Sequence, residues 1–340
     1  MDVRNENQIL FEEILNAWLE DVRQTHAIST YVKYTRIVKK HIQPYFKDIP
    51  LTQITPAFLR QFSDDLKQLA KKSKEEQDAA DKAFPEIKMD FSIGDVYSHT
   101  MIQTAVMITN MTMKMAFRRG LIDEWNAIPC SRRKKRTLVQ VLSTEEQMKL
   151  EEYIKENWSQ TGFGIYLCLY TGMRLGEICA LKWENINIRE GYLTVCSTVQ
   201  RLSIEQENGN NKSMLFITPP KSDTSMRKIP FPSFLVPALE QISKASSKDS
   251  FLLKSKSKAP MDPRTFQYQY KRFLCKAGIP YYNFHTLRHT FATRCITSGM
   301  DPKTLSEILG HADIKITMDY YFHSSFEFKK NQIEKLVALA

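Results

Sequence analysis

An imidazole and a guanidinium stand three residues apart in the run Phe284-His285-Thr286-Leu287-Arg288-His289-Thr290-Phe291-Ala292-Thr293. If residues 285–299 form a helix, that spacing puts His285 and Arg288 on one face. The pair suits a phosphate, because the guanidinium forks onto two oxygens while the imidazole moves a proton. Downstream come Leu309-Gly310-His311 and then Thr317-Met318-Asp319-Tyr320-Tyr321-Phe322-His323. A tyrosine there offers a nucleophile. In a helix Tyr320 and Tyr321 point roughly 100° apart, so only one of them can face a common target.

Two further cations sit where a turn would present them. Arg174 follows a glycine-containing turn in Thr171-Gly172-Met173-Arg174-Leu175-Gly176-Glu177, and Lys221 falls in a hairpin-like stretch, Lys221-Ser222-Asp223-Thr224-Ser225. A cation at the start of a helix opposes the helix dipole, so an anion is expected beside Arg174. Lys228, on the following strand, competes with Lys221 and is expected to face outward. His289 reads as a core histidine and Glu177 as a structural partner of the Arg174 turn.

Composition sets the class of partner. The chain has 340 residues, enough for two domains with a core each, and a net charge of +10, which favours a polyanion. A basic surface kept for solubility would give the same total. The six cysteines, Cys130, Cys168, Cys179, Cys196, Cys275 and Cys295, show no metal-like spacing, and most are expected as reduced core residues. The start, Met1-Asp2-Val3-Arg4-Asn5-Glu6, is polar, and no apolar run approaches a membrane span. A cytoplasmic protein without membrane contact is expected.

The elements that must position these side chains are mostly helices. Apolar residues at Ile9, Leu10, Ile14, Leu15, Trp18 and Leu19 have helical spacing. A second helix is predicted from Tyr31 to Tyr45, stopped by Pro44, and a third opens at Pro56 and runs to about Leu69. The charged residues 71–95 read as an insertion or a long helical excursion, and helical patterning resumes over 96–119. Ser131-Arg132-Arg133-Lys134-Lys135-Arg136 is a block of cations that would serve equally as a solvated linker or along a phosphate backbone. Leu142-Ser143-Thr144-Glu145-Glu146-Gln147 carries a capping-box pattern. An apolar helix follows at 161–171, and the helix beyond Gly176 would show Ile178, Leu181 and Trp183 on one face. Strands are predicted at 192–201 and 213–218, joined through Glu207-Asn208-Gly209-Asn210-Asn211, and a third, Met226 to Phe231, is expected to pair back across 221–225. Helices return from Pro263 onward.

Taken alone, His285-x-x-Arg288 is a weak signal. The ordered set is specific: Thr171-Gly172-Met173-Arg174-x-x-Glu177, then Lys221-Ser222-x-x-Ser225-x-Arg227-x-Ile229-Pro230. After these come His285-x-Leu287-Arg288-His289-Thr290-Phe291-Ala292-Thr293, Leu309-Gly310-His311 and Thr317-Met318-Asp319-x-Tyr321-x-His323. Across nearly its full length the chain resembles the tyrosine site-specific recombinases, the phage-integrase family. Ser222, where that family often has threonine, is a mild departure.

The resemblance implies a mainly α fold with a small β-sheet in the C-terminal domain, in two domains that clamp DNA. The boundaries expected are 1–125 for a helical core-DNA-binding domain, 126–142 for a basic linker, 143–323 for the catalytic domain, and 324–340 for a tail helix. The tail either packs on its own domain or is donated to a neighbouring protomer. It implies Arg174, Arg288 and His311 around the scissile phosphate, with Gly310 letting backbone approach that phosphate closely. It also implies His285 as general base or phosphate donor, Lys221 as general acid and Tyr321 as nucleophile. Tyr321 is preferred to Tyr320 because it lies ten residues after His311 and keeps a Tyr-x-His ending.

The implied reaction cleaves and rejoins double-stranded DNA at paired sites through a 3′-phosphotyrosine and a Holliday junction. It uses no cofactor, metal or ATP. A monomer would assemble as a homotetramer on DNA, with accessory DNA-bending proteins as further partners. Because about eight residues precede the first helix, no arm-binding module is expected. The role would be integration, excision or resolution of a mobile element, with Xer-type chromosome dimer resolution or DNA inversion as the alternative. A type IB topoisomerase-like enzyme, or a DNA-binding protein without catalysis, is the reading from another class.

Overall fold

The computed structural model describes residues 9–83, 98–125, 127–129, 139–205, 211–220, 223–244, 246–255, 258–321, 330 and 333–334, with backbone alone at 72–83, 205, 211, 223, 320 and 321. The chain divides into two units, Met1–Lys135 and Arg136–Ala340. Among the described residues no helix is long and apolar enough to cross a membrane. The cation block 131–136 and most of the tail 324–340 lie outside the described residues, as do 84–95 of the segment read as an insertion.

The first unit is helical. In α1 (Phe11–Thr25) the buried residues Phe11, Ile14, Leu15, Trp18 and Val22 recur at intervals of one turn, so one face enters the core. Next, α2 (Ile28–Ile37) passes through a π turn (Val38–Ile42) into α3 (Gln43–Phe46). The helical stretch ends at Phe46, two residues past Pro44 and one past the expected end at Tyr45. In the π turn the Gln43 N–H donates to Val38, five residues back, and Pro44 falls in the first turn of α3, where a missing N–H costs no intrahelical bond.

α4 (Pro56–Ala83) opens on its proline and runs well past Leu69. α5 (His99–Arg118) starts at Ser98, whose Oγ accepts the Met101 N–H at 3.1 Å. Aromatic rings fill the centre: Phe46 stacks on Phe11 with ring centroids 4.3 Å apart and meets Phe62 edge-on at 5.0 Å.

The second unit is built around α7 (Gln160–Thr171), which is buried on nearly every side because it carries no charged residue. Before it, α6 (Thr144–Glu156) opens with a capping box: Ser143 Oγ accepts from the Glu146 N–H at 3.1 Å, and Glu146 Oε2 accepts from the Ser143 N–H at 2.8 Å. α8 (Leu175–Ala180) is short, and Trp183 falls in the turn beyond it.

Among the described residues five strands follow: β1 (Ile186–Asn187), β2 (Tyr192–Val195), β3 (Thr198–Glu205), β4 (Asn211–Thr218) and β5 (Arg227–Pro230). They make two sheets, a hairpin of β3 with β4 and an antiparallel β1-β2-β5. The third strand expected to pair with the hairpin pairs instead with β2, in the register Leu193↔Ile229 and Val195↔Arg227. Burial explains the choice: Leu193, Val195 and Ile229 face the core, whereas β4 is largely exposed.

The remaining helices are α9 (Val236–Ser243), α10 (Pro263–Lys276), α11 (His285–Thr297), α12 (Pro302–Leu309) and α13 (Ile314–Tyr321), with α11 packed against α7. Cys168 and Cys179 are buried as expected, but Cys275 is exposed on α10.

Candidate active site

The site begins where α7 stops. Gly172 adopts φ 63°, and a Cβ there would lie 2.5 Å from Phe291 Cδ1, so only glycine ends the helix this way. The carbonyl of Gly172 is left facing α11, and Arg288 Nη1 donates to it at 2.8 Å. Two residues on, Arg174 forms the N-cap position of α8.

Glu177, three residues into α8, is the anion expected beside Arg174. Its Oε2 accepts the Arg174 N–H at 2.9 Å and its Oε1 accepts Arg174 Nη1 at 2.7 Å. The same carboxylate also takes a fork from Arg227, with Nη1 at 3.1 Å and Nη2 at 2.9 Å. Burial works to raise the Glu177 carboxyl, but hydrogen bonding and charge from Arg227, then Arg174, hold it below its usual range.

α11 supplies the pair first seen in the sequence. Arg288 is 1% exposed, and besides Gly172 its Nη2 donates to the Leu309 carbonyl at 2.8 Å. His285, one turn earlier, keeps an exposed edge, yet the protein around its ring and the charges of Arg288 and Arg174 push its pKa down to about 4. His289 meets His285 edge-to-face, ring centroids 4.6 Å apart, and is half-buried rather than sunk in the core. Burial first, then the neighbouring His285 and Arg288, lower its pKa to about 4 as well.

α12 closes the site. It ends at Gly310, with φ 65°, whose carbonyl accepts Arg174 Nη2 at 3.0 Å. The space a Cβ would need at Gly310 is filled by Arg227, with Cδ and Nη1 each 2.9 Å away. The missing side chain at Gly310 leaves room for this arginine and allows the left-handed turn. His311 follows, its Nδ1 2.8 Å from the hydroxyl of the buried Thr317 on α13. Burial, then Arg288, Arg174, Arg227 and His285, lower the His311 pKa to about 3.

Four of the six expected side chains are thus gathered: Arg174, His285, Arg288 and His311, close enough that the arginines act on both imidazoles. Lys221 lies outside the described residues. For Tyr321 the structure gives the backbone, in the last turn of α13, with Tyr320 one position before it. Lys228 is exposed on β5, its ammonium 4.5 Å from the centroid of the Tyr192 ring, so it does face outward.

Sequence reasoning gave Arg227 no role of its own. The signal was there in the strand alternation, since Arg227 and Ile229 share the face opposite Lys228 and a buried apolar strand face holding an arginine calls for a buried anion. Together the cluster offers an anion two guanidinium groups and two uncharged imidazoles on a rigid frame.

Comparison with known proteins agrees with this geometry. Residues 137–327 match the phage integrase family, and residues 10–67 match the N-terminal SAM-like domain of phage integrases. A tyrosine recombinase XerC-like protein of Caldanaerobacter subterraneus subsp. tengcongensis is 28% identical over 98% of this chain and 85% of its own length. Among solved structures, the Tn1549 transposon integrase in complex with transposon right end DNA aligns with a TM-score of 0.71 at 19% identity, covering 97% of this chain and all of the other. A lambda integrase tetramer bound to a Holliday junction aligns with a TM-score of 0.60 at 16% identity, covering 94% of this chain and 80% of the other.

Proposed function

The chain belongs to the phage integrase family, the tyrosine recombinases, and from that premise we propose that it recombines paired sites on double-stranded DNA with Tyr321 as nucleophile. The observation that carries this reading is the meeting of Arg174, Arg288 and the Gly310-His311 turn, which come from three separate helix ends.

In the proposed step the Tyr321 phenolate attacks the scissile phosphorus in line. The bond from phosphorus to the 5′ oxygen breaks as the phosphotyrosine bond forms. Lys221 gives its proton to the departing 5′ oxygen, and His285 receives the phenol proton. Arg174 and Arg288 offset charge on the non-bridging oxygens. In this step His311 Nδ1, 2.8 Å from the Thr317 hydroxyl, is assigned as the acceptor, so a neutral His311 carries its proton on Nε2 and donates it to the same phosphate.

A phosphodiester entering the cluster raises the pKa of both imidazoles, which makes His285 a better base when DNA is bound than when it is absent. One phosphodiester is exchanged for another, so the free 5′-hydroxyl of a partner strand reverses the step without ATP. No step calls on a metal.

Two such exchanges pass through a Holliday junction in a homotetramer on DNA, the assembly seen for lambda integrase. The Tn1549 and XerC-like relatives support integration and excision of a mobile element, with Xer-type resolution as the variant role. Accessory DNA-bending proteins would assist a monomer in assembling, and a net charge of +10 favours DNA encounter in the cytoplasm.

The test is a nicked suicide substrate drawn from DNA flanking the gene, incubated with the full chain and resolved on a denaturing gel. The wild type and Tyr320→Phe form a covalent adduct, and Tyr321→Phe forms none. An adduct with Tyr321→Phe rejects that nucleophile, and no adduct with the wild type on any flanking site rejects the reaction.

A further inference from the structure

Three successive carbonyls at the end of α12 each accept a hydrogen bond from a different arginine. Ile308 accepts Arg227 Nε at 2.6 Å, Leu309 accepts Arg288 Nη2 at 2.8 Å, and Gly310 accepts Arg174 Nη2 at 3.0 Å. A helix C-terminus leaves such carbonyls without partners and carries partial negative charge, so three guanidiniums there are mutually tolerable. Two of these arginines are the proposed phosphate clamp; the third has no part in it.

Arg227 is committed at all three of its nitrogens. Nε goes to Ile308, Nη1 to Glu177 and to the Ser225 carbonyl at 3.0 Å, and Nη2 to the second Glu177 oxygen. Four bonds from a group with five donors leave little for a substrate. Arg174, by contrast, has two side-chain bonds and a side chain 35% exposed.

We propose that Arg227 is a positioning residue for cleavage: it fixes Glu177 from one side and the 308–310 turn from the other, and so holds Arg174 and His311 in place for the phosphate. The inference rests on the recombinase reading above. Glu177 and the Gly310 carbonyl are the two groups that hold the Arg174 guanidinium; Arg227 bonds the first directly and braces the second through the Ile308 carbonyl and the space beside Gly310. Its neighbour Lys228 points away and cannot replace it. The glycine at 310 is required by the same contact, because any side chain there displaces Arg227.

The test uses the full chain in single-turnover cleavage of the suicide substrate, with DNA affinity measured in parallel. Arg227→Met keeps the stem and removes fork and charge. It binds DNA within about twofold of wild type but cleaves about a hundredfold more slowly at saturating DNA, the scale expected when a clamp is misplaced by about 1 Å. Arg227→Lys restores charge without the fork and recovers part of that loss.

The acid limb of the rate profile is the signature a merely structural role would not move. Glu177 is faced by Arg174 on its own turn, Arg227 on β5, His285 on α11 and Cys168 on α7. Losing Arg227 removes the largest influence holding its carboxyl down, so the limb shifts to higher pH in the methionine variant.

Cleavage by Arg227→Met at the wild-type rate overturns the proposal, as does a rate loss matched by an equal loss of affinity. If the methionine variant does not fold, Arg227→Lys decides: slow cleavage with intact affinity supports the proposal, and wild-type cleavage overturns it. A wild-type chain that forms no adduct overturns the recombinase reading and this inference together. Adduct from wild type and equally fast Arg227→Met overturn this inference alone.

Discussion

The centre of the first unit and the centre of the site in the second bury their largest side chains for opposite reasons. At the centre of the first, Phe11, Phe46 and Phe62 are fully buried ring against ring, with no polar atom to satisfy. At the centre of the site in the second, the largest fully buried side chain is Arg288, held by the carbonyls of Gly172 and Leu309. An apolar core gains stability from area removed from water, and its members are interchangeable at modest cost. A buried guanidinium gains little net stability and loses much when a partner goes, yet it fixes one geometry. Stability is therefore spread through the first unit, while stability and chemistry are joined in the second.

The largest expected effect comes from breaking that junction. Arg288→Met removes a proposed clamp and also leaves two buried carbonyls without donors. Single-turnover cleavage falls by about a thousandfold or more. Stability falls by about 2–6 kcal/mol, the cost of two buried acceptors left unsatisfied. Urea denaturation reads the second quantity and adduct formation the first. A variant that loses cleavage at unchanged stability would show that the carbonyl bonds hold nothing together.

Next in size is the matching change in the apolar core. Phe46→Ala opens a cavity between Phe11 and Phe62 and costs about 3–5 kcal/mol. It weakens DNA binding by lowering the folded fraction. Once complex has formed, the cleavage rate per bound chain stays at the wild-type value. A lower rate at saturating DNA would mean that the two cores are not independent, and the contrast drawn above would fail.

How far sequence foresaw each region follows from the same difference. Local spacing was enough to put His285 and Arg288 on one helical face and to place a capping box at Ser143 or Thr144, which the fold settles on Ser143 with Glu146. It was enough for the glycine turn before Arg174, because those signals are read within a few residues. It failed where the partner lies far along the chain. That Arg288 would bond carbonyls at 172 and 309 depends on where α7 and α12 end and on their meeting, which no periodicity reports.

β5 was assigned to the wrong neighbour for a related reason. Chain proximity favoured β4, whereas burial of Ile229 against Leu193 favoured β2. The end of the second helix near Pro44 was legible to within one residue, but the π turn at Val38–Ile42 before it leaves no mark in local spacing.

The smallest effect sharpens the comparison through pH. Three histidines of the second unit, His285, His289 and His311, are held below the usual histidine range, at about 4, 4 and 3, by burial and by neighbouring cations. In the unfolded chain each protonates near 6.5. Between pH 6.5 and about 4 the unfolded state therefore binds more protons than the folded one, and stability falls as pH falls. The first unit has His41, lowered by burial and then by Lys40 and Arg36, as its one described counterpart.

Acidification from pH 7 to 5 should thus cost the second unit more than the first. Because His285 keeps an exposed edge, solvent screening trims its share, and a shift of a few degrees in the melting midpoint is expected. Urea unfolding read by proteolytic peptides assigns the transition to each unit at both pH values. His289→Asn removes one of the three titrating groups and flattens the second unit's slope while leaving the first unit's untouched. Equal slopes in the two units would mean that the arginine cluster does not hold its imidazoles neutral, and with it would go the account of how the site receives an anion.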